Sequence, residues 1–173
     1  SHPGRGTRNA LMSLGDGTYL ELLAPDPAQS VDNDDVRLLK SLTRLSPIGW
    51  AVSGSSEAGL RSALRGRDVQ LSPSQPGSRT KPDGSTLLWV TFGYQSAADD
   101  FAPFFIVWDD PAVHPSRTSP RGCKLGGMEI HHPDAKQLGE AIAPLGLSVA
   151  MTQAASRRMI IQLRCRRGGV FLG

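Results

Sequence analysis

The sequence predicts an α+β protein assembled from repeated strand-helix-strand-strand-strand (βαβββ) units. The main observation is that the chain repeats itself in one order. The matching segments are HPGRGT and QPGSRT at 2–7 and 75–80, apolar runs at 9–15 and 85–93, and strands with a shared ending at 19–28 and 103–112. Three matches in the same order indicate an internal repeat, and the short apolar runs between turn residues are typical of strands.

Composition restricts the class of protein. The 173 residues are 39% apolar and 20% charged, which is ordinary for a globular chain. No apolar run approaches the roughly 20 residues that cross a bilayer, and SHPGRGTRN lacks the features of a signal peptide. We therefore expect a cytoplasmic protein without a membrane partner. Cys123 and Cys165 have no CxxC partner, so we expect both to be reduced structural residues.

Residues 1–28 form the remainder of a first unit. Gly15-Asp16-Gly17 separates two β-like runs, and an Asp-Gly turn of this kind predicts a hairpin. The strand and helix that open the other units have no counterpart after Ser1. We therefore expect an N-terminal strand and helix that this chain lacks.

Residues 29–46 predict a connecting helix, because DNDDVRLLKSLTRL carries acids at its start and bases at its end.

Residues 47–115 form the second unit. It begins with a strand at 48–52 and a helix at 56–65, and three strands follow. Trp50, Trp89 and Trp108 fall on three different strands of this unit.

Residues 123–173 predict a third, added βαβββ-like unit. Its helix would have Asp134 as N-cap and Gly146 as its stop, with strands near 148–153, 158–165 and 169–172. His131 and His132 resemble a metal cluster, but neighbouring residues on a strand point in opposite directions. A strand-to-helix turn explains the pair.

The C-terminal segment is rich in arginine, which suggests nucleic acid as a partner. The cluster comprises Arg157, Arg158, Arg164, Arg166 and Arg167. However, Ile161, Leu163 and Cys165 alternate with polar residues, as in a strand with one wet face. We therefore expect a charged edge strand, and a nucleic-acid partner is disfavoured because no aromatic residues are interleaved for base stacking.

The stretch HPGRGTRNALMSLGDGTYLELLAPDP, followed by PGSRTKPDG, LLWV, PFFIVW and HP, resembles the glyoxalase-like branch of the vicinal oxygen chelate superfamily. The resemblance covers residues 2 to 115. It implies paired βαβββ modules whose mixed sheets curl around a cavity, which often holds a divalent metal ion. The activities that it implies are lyase, isomerase, epimerase and dioxygenase chemistry, together with metal-free binding of small molecules.

The resemblance also implies candidate metal ligands, because the superfamily takes them from the first and last strands of each module. Glu21 occupies the last-strand position of the first module and is the candidate metal ligand or catalytic base. Its aligned residue in the second module is Phe105, and no ligand occurs near Trp50. The implied cofactor is a divalent metal ion of unspecified identity, with His2 as a second ligand. The alternative for Glu21 is an ion pair with a neighbouring arginine.

The candidate substrate-binding residues come from two loops and three strands; they are His2, Arg5, Asn9, Trp50, Arg79, Trp89 and Trp108. Arg5 and Arg79 lie in the two matched loops, where they would hold a carboxylate or phosphate. Indoles on a curled sheet would form an apolar wall. Exposed loop charge and core packing are the alternatives for these residues.

Three functions follow from the sequence. The first is a glyoxalase-like enzyme that acts on a small oxygenated or acidic metabolite, with Glu21 as metal ligand or base. The second is a metal-free protein that binds a small molecule. The third, nucleic-acid binding through the C-terminal arginines, ranks last. The expected partner is a small-molecule ligand, and pairing of two chains into a homodimer stays open.

Overall fold

Short alternating apolar runs separated by turns become strands in the computed structural model, which describes residues 1–65, 70–80, 84–95 and 101–173. The elements, in chain order, are β1 (Thr7–Gly15), β2 (Thr18–Pro25), α1 (Asp34–Ser41), β3 (Ala51–Ser53), α2 (Glu57–Ala63), β4 (Gln75–Thr80), β5 (Thr86–Phe92), β6 (Phe104–Trp108), α3 (Pro115–Thr118), β7 (Cys123–His132), α4 (Ala135–Ile142), β8 (Ala150–Gln153), β9 (Arg158–Cys165) and β10 (Gly168–Leu172). The predicted α+β class is confirmed.

The strands form three sheets. The first is the β1-β2 hairpin, the second has the order β3-β6-β5-β4, and the third has the order β10-β9-β7-β8. In the second sheet the opening strand β3 runs parallel to the last strand β6, whereas in the third sheet the opening strand β7 runs parallel to the next strand β8. The two units share their element order but not their strand order, so the predicted repeat is confirmed only in part.

The β1-β2 hairpin turns at the predicted residues. Asp16 and Gly17 adopt positive φ angles of 48° and 77°, as a tight turn between twisted strands requires. The resulting register pairs Leu11 with Glu21 and Ser13 with Tyr19. Paired residues of an antiparallel ladder share a face, so this turn decides which side chains of β2 lie beside those of β1.

The predicted helices are present but shorter than the sequence suggested. Asn33 caps α1 by accepting a hydrogen bond from the Val36 N–H at 2.9 Å, and Lys40 lies in its last turn. At α4, Gly146 adopts the expected left-handed conformation, with φ at 63°. Asp134 occupies the N-cap position as predicted, but its side chain makes no capping hydrogen bond.

Two hydrophobic clusters stabilise the second and third sheets. Phe105 is fully buried in the first cluster, which also contains Val52, Leu60, Leu64 and Phe92. The second cluster consists of Ile130, Leu138 and Met159. Trp50 packs against both clusters, and its indole N–H donates to the Phe101 carbonyl at 2.7 Å. This contact links the packing of the two sheets.

Cys123 and Cys165 form a disulfide, so the expectation that both are reduced is wrong. The cysteines are 42 residues apart in sequence, but the antiparallel pairing of β7 with β9 places them directly opposite each other. Their Cα atoms are 4.1 Å apart. The sequence spacing contained no sign of this pairing because the register of β7 and β9 creates it.

The arginine-rich strand β9 lies between β7 and β10, so the predicted charged edge strand is also wrong. The turn after Cys165 brings β10 back alongside β9 and covers its second edge. The predicted alternation is present: Met159 and Leu163 are buried, whereas Arg158 and Arg164 are exposed.

None of the helices in the four described stretches combines the length and the apolar character needed to cross a bilayer.

The disulfide leads to a stability prediction. Replacing both cysteines (Cys123→Ser with Cys165→Ser) should lower the free energy of unfolding by about 2–4 kcal/mol, because the crosslink restricts the unfolded chain. Thermal denaturation with and without reductant measures the effect. The double variant is the control, since reductant should leave its melting temperature unchanged. Two free thiols in the folded, unreduced wild type would contradict the crosslink.

Candidate small-molecule site

A cavity of about 460 Å³ lies between the β1-β2 hairpin and the second sheet. Strand alternation selects its walls: Asn9 and Leu11 of β1 and Tyr19, Glu21 and Leu23 of β2 face it from the hairpin side. The other wall consists of consecutive residues of β4 and alternate residues of β5 and β6, among them Gly77, Arg79, Trp89, Ile106 and Trp108. A volume of this size suits a small-molecule ligand.

The polar part of the cavity is a hydrogen-bonded chain that joins the two walls. An Arg79 Nη1–H donates to Oδ1 of Asn9 at 3.0 Å. The Asn9 Nδ2–H donates in turn to Oε1 of Glu21 at 2.7 Å. The Glu21 side chain is 39% exposed, so its carboxylate remains accessible from the cavity. These two hydrogen bonds determine which way the Asn9 amide points. The Asn9 amide in turn orients the Glu21 carboxylate.

His2 completes this cluster. Its Nε2 lies 3.8 Å from Oε1 of Glu21, and its Nδ1 lies 2.9 Å from the Thr7 hydroxyl. Burial lowers the pKa of His2 below its ordinary value of 6.5; the charge of Glu21 acts to raise it, and Arg79 and Arg5 act to lower it. The imidazole is therefore predominantly neutral at neutral pH.

The HPGRGT loop places Arg5 at the cavity. Gly4 and Gly6 have φ angles of 73° and 70°, in the left-handed region that glycine adopts without strain. At Gly6 a side chain would also collide with the neighbouring segment, because an added Cβ would lie 2.7 Å from Cβ of Val31. The glycines therefore allow this loop to adopt its left-handed backbone conformation and its close packing.

The apolar wall is a cluster of aromatic rings. The Trp89 and Trp108 ring centroids are 5.2 Å apart, and Tyr19 meets Trp108 edge-on at 6.5 Å. His114 meets Tyr19 at 5.4 Å from outside the cavity lining. Burial, together with the charge of Glu21, raises the pKa of Tyr19 to about 12. The phenol therefore stays protonated at physiological pH and acts as an O–H donor.

Gly77 makes room for this wall. It lies opposite Trp89 in the β4-β5 pairing, and an added Cβ would overlap the indole, with Cζ2 only 2.8 Å away. Gly77, the glycine of the repeated PG sequence, thus leaves the space that the Trp89 indole occupies. No side chain other than hydrogen fits beneath the ring in this position.

Seven of the eight residues that the sequence proposed for the site surround this one cavity: His2, Arg5, Asn9, Glu21, Arg79, Trp89 and Trp108. Their roles in binding or catalysis stay predictions. Trp50 does not line the cavity, because it packs between the two hydrophobic clusters instead. Sequence reasoning missed Tyr19. The alternation of side chains along a strand could have identified it. Tyr19 precedes Glu21 by two residues, and this spacing places both on one face of β2.

The equivalence of Glu21 with Phe105 is wrong with respect to the face of the strand. Phe105 is fully buried in the core, whereas its neighbours Phe104 and Ile106 line the cavity. A shift of one residue exchanges the two faces of a strand. The conclusion drawn from the alignment survives, since neither cavity-facing neighbour carries a metal-binding atom.

The metal-binding atoms at the cavity are too few for a conventional site. Within the described ranges, no group of three or more His, Cys, Asp or Glu residues is arranged to hold a metal ion. Glu21 and His2 contribute two donors, and Asp35, which also lines the cavity, is not grouped with them. A catalytic metal is usually held by three protein ligands and an open position. The residues present therefore do not fit a complete metal centre.

Comparison with known proteins supports the architecture. The chain matches the family model described as a glyoxalase-like domain over residues 1–146. A solved structure, described as a hypothetical protein from Staphylococcus aureus, is similar with a TM-score of 0.61 and 12% sequence identity, over 99% of this chain and 73% of that chain. At that identity the likeness shows the fold alone. No curated protein matches the sequence.

Adding one methyl group beneath Trp89 tests the aromatic wall. Gly77→Ala should destabilise the protein by about 1–3 kcal/mol, because the indole has to move. It should also change the tryptophan fluorescence. Gly49→Ala is the matched control, since no atom lies within 4 Å of an added Cβ there. Equal melting temperatures for the two variants would contradict the assigned contact.

The charges around His2 lead to a prediction about its titration. Glu21→Gln should lower the pKa of His2 further, because the carboxylate charge acts to raise it, and Arg79→Met should move the pKa upward. Titration of the imidazole Cε1–H signals by NMR measures both shifts. His114 is the internal control, since its lowered pKa arises from burial and then Arg117. A His2 pKa that does not respond to Glu21→Gln would contradict the geometry.

Proposed function

Because the chain belongs to the glyoxalase-like domain family, we propose that its cavity binds a small oxygenated, acidic metabolite and that Glu21 acts there as a proton acceptor. The observation that carries this proposal is the Arg79-Asn9-Glu21 chain, which holds a guanidinium and a carboxylate on adjoining walls of one cavity. The guanidinium suits the acidic end of a ligand, and the carboxylate suits an acidic C–H or O–H proton.

The proposed chemistry assigns a role to each polar group of the cavity. The Arg79 guanidinium has five N–H donors, of which Nη1 contributes one to Asn9. A ligand carboxylate beside Arg79 and Arg5 would meet two positive charges, and charge-assisted hydrogen bonds of this type are the strong ones. Glu21, held in orientation by Asn9, would take a proton from the carbon next to a ligand carbonyl. Arg79 would stabilise the negative charge that develops.

A metal-dependent lyase, isomerase or dioxygenase is the finer form of this proposal. Glu21 and His2 would be the two ligands from this chain, and a neutral imidazole is the form that binds a metal. The metal identity stays open. Protein purified without chelator should then contain a divalent ion, and added Mn²⁺ or Zn²⁺ should raise its melting temperature but not that of Glu21→Gln. No ion and no stabilisation would exclude the metal-dependent form.

Metal-free binding of a small molecule is the second candidate. It is supported by the aromatic wall of Trp89 and Trp108, which together with Arg5 and Arg79 provides apolar contact and charge without any metal. This candidate predicts ligand binding that chelator leaves unchanged. It also predicts no exchange of ligand protons with solvent.

The proposed cytoplasmic location depended on the absence of a signal-peptide pattern. The disulfide between Cys123 and Cys165 counts against it. Disulfides persist mainly in oxidising compartments. The location therefore stays a prediction.

Removing the proposed anchor tests the function directly. Phenylglyoxylate, a 2-oxo acid, should bind the wild type, and Arg79→Met should weaken binding about tenfold or more, because a hydrogen bond to a charged group contributes about 1.5–3 kcal/mol. Isothermal titration calorimetry measures the affinities. Arg8→Met is the matched control, since Arg8 is exposed on the opposite face of β1 from Asn9. Equal loss in both variants, or no binding to the wild type, would contradict the proposal.

A further inference from the structure

One buried hydrogen-bond donor at the cavity has no acceptor. Nε1 of Trp108 is inaccessible to water and makes no hydrogen bond to any residue that the structure describes. A buried donor without a partner typically costs about 1–3 kcal/mol, and such groups are uncommon in folded proteins. The cavity wall thus contains a polar group whose partner has to be supplied in another state of the site.

One candidate for that partner is the Tyr19 hydroxyl. The two rings meet edge-on at 6.5 Å between centroids. In this arrangement the indole N–H and the phenol oxygen do not form a hydrogen bond. A ligand cannot reach Nε1 directly, because even water is excluded from it. Forming this bond would require one of the two rings to rotate.

We propose that Tyr19 is a ligand-binding hydrogen-bond donor and that Trp108 is the residue that positions its hydroxyl. When the Trp108 N–H donates to the phenol oxygen, the phenol proton is left to donate to an acceptor oxygen of the ligand. This inference rests on the proposed function, since it deepens the description of the same cavity. It adds a contact from Tyr19 to the ligand beside the proposed contact from Arg79.

The position of Tyr19 defines which ligand oxygen it meets. Tyr19 and Glu21 lie on one face of β2, two residues apart, so the donor and the carboxylate can both contact one ligand from the same wall. Trp89, at 5.2 Å from Trp108, offers a flat apolar surface beside them. The ligand class that satisfies all these groups is a 2-oxo acid with a planar aromatic or conjugated body. Its carboxylate meets Arg79, and its keto oxygen meets Tyr19.

A protonated phenol suits this task. A phenol oxygen that accepts from the Trp108 N–H still has its own proton to donate, so Tyr19 can meet a keto oxygen. A hydroxyl beside a carboxylate discriminates between a keto oxygen and a methylene group, since the methylene accepts no hydrogen bond. Leaving buried polar groups unpaired is what makes such discrimination strong.

A pair of matched ligands separates the keto contact from the carboxylate contact. Phenylglyoxylate and phenylacetate share the ring and the carboxylate, but only the first has the keto oxygen. Tyr19→Phe should weaken phenylglyoxylate binding about tenfold and leave phenylacetate unchanged, as expected for loss of one hydrogen bond of about 1.4 kcal/mol. Tyr94→Phe is the matched control, because its hydroxyl contacts the Ala141 carbonyl away from the cavity lining.

Trp108→Phe tests the positioning role. This substitution keeps an aromatic ring and removes the N–H. The ratio of the two affinities, phenylglyoxylate over phenylacetate, should therefore fall by about threefold or more, where a factor of ten corresponds to roughly 1.4 kcal/mol. Trp89→Phe removes an indole from the same wall and should weaken both ligands alike. A merely structural role for Trp108 predicts that both ligands weaken alike there too, and this outcome would overturn its assignment as a positioning residue.

The remaining outcomes distinguish the two proposals. If Arg79→Met weakens both ligands but Tyr19→Phe affects neither or both equally, the Tyr19 assignment is wrong and the proposed acid-binding function stands. If the wild type binds neither ligand at millimolar concentration, both proposals are overturned. Melting temperatures of all variants separate lost binding from lost folding, and a Tyr19→Phe variant that unfolds is replaced by Trp108→Phe for the same comparison.

Discussion

The alternation of side chains along β-strands is the constraint on which the rest of this structure depends. On β6, Phe105 enters the core while Phe104, Ile106 and Trp108 face the cavity. Strands β5 and β6 therefore contribute to the core on one side and to the cavity on the other. A shift of one residue in either strand would exchange these sets. The turn at Asp16-Gly17 sets the same alternation for the hairpin that closes the cavity.

The two walls of the cavity come from separate parts of the sequence, and hydrogen bonds between them join their polar side chains. Glu21 belongs to the hairpin and Arg79 to the second sheet, and Asn9 joins them through two hydrogen bonds. A carboxylate is thereby held beside a cation without a direct ion pair between them. Such an arrangement leaves both charges available to a ligand, and it explains why the cavity is polar on one side and aromatic on the other.

Glycine is as important to the site as the charged residues are. Gly77 provides the space in which the Trp89 indole lies, and Gly6 combines a left-handed backbone with close packing against Val31. Both belong to the repeated PG-containing segments, so the repeat that was visible in the sequence corresponds to loop shape and close approach. Arg5 and Arg79, which line the cavity, lie in the same two segments.

The sequence by itself determined the α+β class, the hairpin turn, the helices and seven of the residues that surround the cavity. These features depend on local turn chemistry and on period-two alternation, which neighbouring residues are enough to specify. Trp50 could not be assigned in this way, since its position between two clusters arises from long-range packing. Only the tertiary structure decided that β9 is an interior strand and that Cys123 meets Cys165, because both depend on strand register. It also decided that Tyr19 and Trp108 adjoin, since side chains on separate strands meet only when the sheets face each other across the cavity.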